Sequence, residues 1–437
     1  MVRFRLAAAC VILAAATSAR AQDLAGQPAD ARPSSTDADA ASQDVGVVWR
    51  NRPQIRIGKH TRIDVRARTQ LDWRGFSPDV GENTFDVPAA RFGVAGEYRN
   101  DVEFQVEYDT QKTHKWRDVY GEWKSYRQLT VRAGRFKMPF GLEQNTPLFD
   151  IDFAYRTLGS NAITPNRDTG VMASGRFHKR ALSYEAGVFR HDGDNTDPKL
   201  VTGVTVPDAD LSGPSVAGRV TVLPLRWTKQ PVLDTFRVGL AATASHVPEG
   251  LNSLHSDPRF GDQSFFKRVY VKGHRRRVGT ELHWTPGPFG ISSEWMRAYE
   301  SREGQGFQDE DLPDLLSTSW YVAGTWVMTG EKKEAANLHP AHPLGRGGWG
   351  AVEFGARYER LQFESATDEG YPERNPRGTN LYPNQDRVWT VGANWYLNRW
   401  VRLLGNAVHE HIDDPARTPV PPAQGYWTGL FRIQLAL

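Results

Sequence analysis

Thr61-Arg62-Ile63-Asp64-Val65-Arg66-Ala67-Arg68-Thr69-Gln70-Leu71-Asp72-Trp73 decides how this chain folds, because apolar and polar residues alternate along it. Ile63, Val65, Ala67, Leu71 and Trp73 share one face, and Arg62, Asp64, Arg66, Arg68, Gln70 and Asp72 share the other. A period of two belongs to a β-strand. A soluble core strand would not need so many charges on its second face. The same two-faced pattern returns in Val102/Phe104/Val106/Tyr108 against Glu103/Gln105/Glu107/Asp109, and in Val352/Phe354/Ala356/Tyr358 against Ala351/Glu353/Gly355/Arg357. It returns again in Trp389/Val391/Ala393/Trp395 and in Trp427/Gly429/Phe431/Ile433/Leu435/Leu437.

Short and long breaks between these stretches take turns. Short ones fall at Arg99-Asn100-Asp101, Lys124 to Gln128, His178-Lys179-Arg180, Pro286-Gly287-Pro288 and Asn398-Arg399. Longer ones lie at roughly 74 to 88, 137 to 168, 191 to 214, 246 to 274, 300 to 316, 362 to 386 and 411 to 425. Short periplasmic turns and long outer loops are the asymmetry of bacterial outer-membrane barrels. The expected fold is all-β: a transmembrane antiparallel β-barrel over residues 54–437, with sixteen strands and both termini periplasmic. This count requires a short outer loop near 111 to 115 and a long periplasmic link near 331 to 348, and it makes 137–168 the third outer loop.

A large β-sandwich or β-propeller also alternates. Against these stand an export signal, a final strand apolar to its last position, and aromatics near strand ends (Trp73, Trp123, Trp284, Trp395, Trp400 and Trp427), where an interfacial girdle places them. Residues 1–21 read as a signal peptide: Arg3 and Arg5, an apolar run from Leu6 to Ala16, and a small-x-small site at Ala19-Arg20-Ala21. The one cysteine, Cys10, lies within it, so the mature chain has no disulfide framework or thiolate metal site. Residues 22–53, rich in Ala, Asp, Ser and Pro, read as a flexible periplasmic lead-in. The formal charge of +3 vanishes once Arg3, Arg5 and Arg20 leave with the signal, so composition gives no support for nucleic-acid binding. A mean hydropathy of −0.56 fits a barrel in which only alternate residues meet lipid.

Several segments resemble the phosphate-selective porin O and P family of outer-membrane channels. They are Val131-Arg132-Ala133-Gly134-Arg135-Phe136-Lys137-Met138-Pro139-Phe140-Gly141-Leu142-Glu143, Thr329-Gly330-Glu331 with Gly350 to Leu361, and Val391-Gly392-Ala393-Asn394-Trp395-Tyr396-Leu397-Asn398. The resemblance implies a sixteen-stranded barrel, a homotrimer, a third loop folded inward to narrow the pore, and phosphate as the solute. The loop departs from that expectation in charge: Lys137, Arg156 and Arg167 stand against Glu143, Asp150, Asp152 and Asp168. A phosphate filter should not be net acidic at its constriction unless its acids point away from the pore. Arg135, Lys137, Glu143, Arg156 and Arg167 are the candidate constriction-loop residues.

A diffusion channel needs no catalytic residues and no cofactor; it needs lumen charges that replace part of an ion's hydration yet release it. Same-face residues two apart stand about 7 Å from each other, so Arg62, Arg66 and Arg68 form a column on the inner wall. Arginine binds phosphate or carboxylate through parallel donors. Arg132, Arg219, Arg237, Arg402 and Arg432 share the inward parity, and together these residues are the candidate anion-guiding track. The alternative is rigidity, with Asp64, Glu103, Glu107, Glu281, Glu353 and Glu359 as partners.

His409-Glu410-His411 and His339-x-x-His342 have metal-ligating residue types but fit loop histidines better, so no metal site is expected. Arg275-Arg276-Arg277 suits anions or lipopolysaccharide phosphates, or a solvated rim. A hydrolase would need Ser245-His246 or His255-Ser256-Asp257 to assemble as a triad. A closed barrel acting as receptor or adhesin is a further class. The expected partners are small inorganic or phosphorylated anions, the lipid bilayer with its lipopolysaccharide, and two more copies of the chain; the expected site is the outer membrane of a Gram-negative bacterium. A general pore of little selectivity is the nearest alternative.

Overall fold

The computed structural model describes residues 45–437 apart from 50–51, 78–81, 113, 195–212, 229, 252–268, 335–337, 346, 366–382 and 414–424. The expected signal peptide, His255-Ser256-Asp257 and parts of five long outer loops lie outside the described residues.

Two short strands come first, β1 (Val45–Trp49) and β2 (Pro53–Ile57). Eight longer ones follow: β3 (Thr61–Ser77), β4 (Thr84–Tyr98), β5 (Val102–Asp109), β6 (Trp116–Trp123), β7 (Thr130–Lys137), β8 (Arg167–Phe177), β9 (Leu182–Phe189) and β10 (Ser215–Val222). The second half holds β11 (Arg237–Leu251), β12 (Tyr270–Trp284), β13 (Phe289–Arg302), β14 (Leu312–Val327), β15 (Ala351–Ser365), β16 (Asn384–Tyr396), β17 (Val401–Asp413) and β18 (Gly425–Ala436). From β3 to β18 each strand pairs antiparallel with the next, and β18 returns to β3 with Trp427 opposite Ser77 and Ala436 opposite Arg68. The ring is therefore a closed barrel of sixteen strands.

Below this seam, β2 pairs with the start of β3, from Gln54 opposite Asp64 to Ile57 opposite Thr61, and β1 pairs with β2. The strand β1 thus occupies part of the stretch that sequence alone reads as a lead-in.

The short breaks are tight turns. Arg99 and Asn100 both take positive φ, the geometry that matches the strand twist in a two-residue hairpin. Several outer breaks are shorter than expected because polar strand ends continue the ladder beyond the apolar band: β11 runs to Leu251 and β13 to Arg302.

Alternation sorts side chains between two environments. Trp73, Phe92, Val188, Leu240, Val322, Trp389, Val391 and Trp427 are exposed on the outer face. An apolar belt of this extent would be a liability in water and is what a barrel presents to lipid. Inside, residues 138 to 166 carry two short helices, α1 (Leu142–Asn145) and α2 (Leu158–Ala162). Phe140, Leu158 and Ile163 from this segment form one buried cluster with Met296, Leu361, Phe363, Leu404 and Leu430 of the inner wall. The apolar residues at inward positions of β13 to β18 are thereby explained: they seat the loop.

Gly134 in β7 has φ +129°, and a Cβ there would lie 2.3 Å from the Val119 carbonyl oxygen and 2.7 Å from Tyr120 Cα. Gly134→Ala should strain the β6–β7 pair by about 1–3 kcal/mol, read as a lower temperature for the heat-dependent gel shift of the folded barrel. An unchanged transition temperature would contradict this.

Candidate functional site

The loop's backbone polar groups are satisfied by the barrel wall. Glu294 of β13 accepts from the N–H groups of Leu142 and Glu143, and Glu359 of β15 accepts from Leu158 N–H. Asn406 accepts from Ala154 N–H at 2.9 Å, Arg402 donates to the carbonyls of Ile151 and Asp152 at 2.8 Å each, and Gln434 donates to the Phe149 carbonyl at 2.8 Å. Arg432 chelates Asp72 at 2.7 and 2.8 Å and also donates to the Ala154 carbonyl, while Tyr155 donates to Asp72 at 2.8 Å. The loop is thus pressed against β13 to β18.

Open space remains on the other side, as a cavity of about 320 Å³ between the loop and β3 to β8. Its lining includes Arg91, Lys112, Arg117, Lys137, Arg156, Arg167 and Arg432, with Asp194 as the one acid among the described lining residues. Some of these cations are matched by carboxylates behind them. Arg91 donates to Glu107 at 3.0 Å and Asp109 at 2.9 Å, and Arg167 grips Asp118 with two bonds of 3.1 and 2.8 Å. Others meet only weak or dipolar compensation. Arg117 lies 3.7 Å from Asp194, Lys137 donates to the carbonyls of Gln144 at 2.6 Å and Thr146 at 2.8 Å, and Lys112 has no ion pair among the described residues. Burial lowers the Arg156 guanidinium to about 10, which Glu143 partly offsets and Arg167 and Arg91 reinforce; burial lowers Lys112 too. Crowded cations held out of bulk water bind an anion more readily than isolated ones.

The acids that made the loop look net negative point elsewhere. Glu143 accepts from Arg357 at 2.9 Å, Asp152 from Lys333, and Asp168 from Thr169 N–H and His191 N–H at 2.6 Å each. None of the loop's four acids lines the basic gap; Glu143, Asp150 and Asp152 border a separate lumen space, so the net acidity read from the sequence does not fall on the gap itself.

Arg62, Arg66 and Arg68 do stand on the inner face of β3, each against a partner. Arg62 lies 3.2 Å from Glu97, Arg66 donates to Gln105 at 3.2 Å, and Arg68 pairs with Glu107. Arg132 pairs with Glu122 at 2.6 Å and lies over the Tyr120 ring. Arg219 is held across the lumen wall by Glu281 and Glu185, and Arg237 sits at the end of β11 opposite His283. Arg402 and Arg432 fasten the loop, although Arg432 also borders the cavity. Arg135 shares the outward parity of exposed Ala133, and its guanidinium reaches Asp194 at 2.7 Å. The structure thus brings Lys137, Arg156, Arg167 and Arg432 together and leaves Arg219, Arg237 and Arg402 apart from them. Sequence reading missed Arg91, Lys112 and Arg117; the inward parity of Arg91 was legible, whereas Lys112 sits in a short break with no strand period.

The other constellations separate. Ser245 faces inward toward the Arg275 carbonyl while His246 meets His274 edge-to-face, so adjacent residues point to opposite faces. Arg275 and Arg277 are buried on Asp192, and Arg275 also on Glu300, whereas Arg276 between them is exposed, so two of the three arginines are not part of a solvated rim. His411 pairs with Asp413 at 3.0 Å, and no metal-holding group occurs among the described residues.

A sixteen-strand ring with an apolar exterior and a charged lumen narrowed by a loop defines a transmembrane β-barrel channel. The chain belongs to the phosphate-selective porin O and P family, whose sequence profile matches residues 63–435. That family, with this fold, points to a channel rather than an enzyme. No curated protein matches the sequence. Among solved structures, it is similar to outer-membrane-expressed OmpT of Vibrio cholerae (10% identity, TM-score 0.54, covering 90% of this chain and 100% of that one). It is similar also to the anion-selective porin from Comamonas acidovorans (13% identity, TM-score 0.53, covering 86% and 100%) and to the outer-membrane channel DcaP of Acinetobacter baumannii (9% identity, TM-score 0.51, covering 86% and 98%).

Glu294→Ala combined with Glu359→Ala removes the carboxylates that bind the loop's N–H groups, each a charge-assisted bond to a buried group worth about 2 kcal/mol. Mean single-channel conductance should rise and its noise increase in planar bilayers. Traces like the wild type's would show that the apolar seat alone holds the loop.

Proposed function

We propose that this porin carries small anions across the outer membrane, phosphate and phosphorylated anions among them, through the basic gap between the third loop and β3 to β8. The observation that carries this reading is the lining itself, seven cations against one acid around a single space. An ion entering it exchanges part of its hydration for guanidinium and ammonium donors. The crowding that favours entry also supports release, because most of the donors, Arg91, Lys137, Arg156, Arg167 and Arg432 among them, are already shared with a carbonyl or carboxylate and so bind weakly. Arg62, Arg66 and Arg68 extend the basic wall along β3 toward the periplasmic end as a secondary track. Their acid and amide partners reduce the net field there, which supports the constriction as the selective element and the track as a guide. Phosphate as the solute is supported by the family description. A homotrimer is supported by the trimeric form of the similar Vibrio cholerae OmpT. The periplasmic lead-in and signal peptide read from the sequence complete the picture of a protein exported to a Gram-negative outer membrane, where its belt meets lipid and lipopolysaccharide.

In a salt gradient across a planar bilayer, the reversal potential should show anion preference, and phosphate should block chloride current at concentrations well below that of chloride. Lys112→Gln with Arg117→Gln should lower the anion-to-cation permeability ratio by about tenfold, as expected for two charges removed from a confined space. Alanine at Arg62, Arg66 and Arg68 should lower it less. A wild-type channel without anion preference would overturn the reading, and selectivity for chloride without phosphate block would restrict it to a general anion pore.

A further inference from the structure

The periplasmic link between β14 and β15 sends one side chain into the lumen. Lys333 N–H donates to the Gly287 carbonyl at 2.7 Å, which fixes this part of the link against the β12–β13 turn. From there its buried side chain reaches Asp152 of the constriction loop and donates to Glu353 of β15 at 2.6 Å. Glu353 is fully buried and also accepts from Tyr396 Oη at 2.9 Å and Asn394 Nδ2 at 3.2 Å, whereas Asp152 keeps about a quarter of its side chain exposed (28%). Lys333 borders a second lumen space with Asp150, Asp152, Glu143, Glu334 and Arg357. That space has the opposite composition to the basic gap: four of those residues are acids, and Arg357 is already engaged with Glu143 and Glu359.

We propose that Lys333 is a charge-selectivity determinant of the pore, cancelling Asp152 and Glu353 so that the far side of the constriction loop does not attract cations. The inference rests on the anion-channel reading and adds a residue outside the loop and its facing wall. Without the ammonium, two carboxylates would lie within the lumen against a single neighbouring guanidinium, and the loop would carry the net acidity its sequence suggests. Removing one partner of a buried charge pair leaves the other uncompensated, so the effect is larger than deletion of a solvated lysine.

The test compares wild-type, K333M, K333R and K333M/D152N channels by reversal potential in a potassium chloride gradient. The expected result is an anion-to-cation permeability ratio about fivefold lower in K333M, kept in K333R, and restored by D152N in the double variant. Wild-type anion preference with an unchanged K333M overturns the inference and leaves the channel reading standing; absence of anion preference in the wild type overturns the channel reading itself. A K333M loss that D152N fails to restore shows a positional effect and also overturns the inference. Should K333M not assemble, D152N alone, which leaves Lys333 balanced by Glu353 and removes one lumen carboxylate, is expected to raise the ratio, and no change there overturns it.

Discussion

The ladder between β18 and β3 is the constraint on which everything else depends. With it the described strands close on themselves, and the backbone N–H and C=O groups along the β18–β3 ladder pair with each other rather than with water. The same ladder fixes register, and because side chains alternate with period two, a shift of one residue would turn Arg432 and Gln434 to lipid and Phe431 and Ile433 to the lumen. Arg432 could then neither chelate Asp72 nor hold the Ala154 carbonyl. The constriction loop would lose its seam-side anchor.

Inside the ring, the wall is divided between two jobs. From β13 to β18 it supplies apolar contacts and hydrogen-bond partners for the loop; from β3 to β8 it supplies cations and the carboxylates that restrain them. Buried ion pairs seldom stabilise a fold much, because desolvation offsets attraction. Their value here is positional: Asp118 fixes Arg167 at the gap, and Asp192 locks Arg275 and Arg277 away from it. Charge in this lumen is therefore sorted as well as counted.

The division explains what could be read from the sequence. Parity alone placed Arg62, Arg66, Arg68, Arg132, Arg402 and Arg432 inside, and alternating breaks placed the third loop, since both are local properties of the chain. Parity is silent on depth and on what lies opposite. Arg402 and Arg66 therefore looked equivalent, although one binds loop carbonyls and the other the Gln105 amide on β5, two strands away. Inward Leu361 and Phe363 broke the polar-inside rule for a reason visible only once the loop packs on them. Lys333, in a link without period, gave no signal at all; its partners are 181 and 20 residues away in the chain.

The hairpin of β1 and β2 below the seam has its own consequence. β18 pairs with β3 only as far as Arg68, so the first residues of β3 would otherwise present bare hydrogen-bonding groups at the barrel rim. An uncovered edge invites pairing with another chain, above all while barrels are being assembled at high local concentration. By occupying Thr61 to Asp64, β2 covers this edge with a strand of the same chain, so the seam is closed below β18 by the chain's own leading segment.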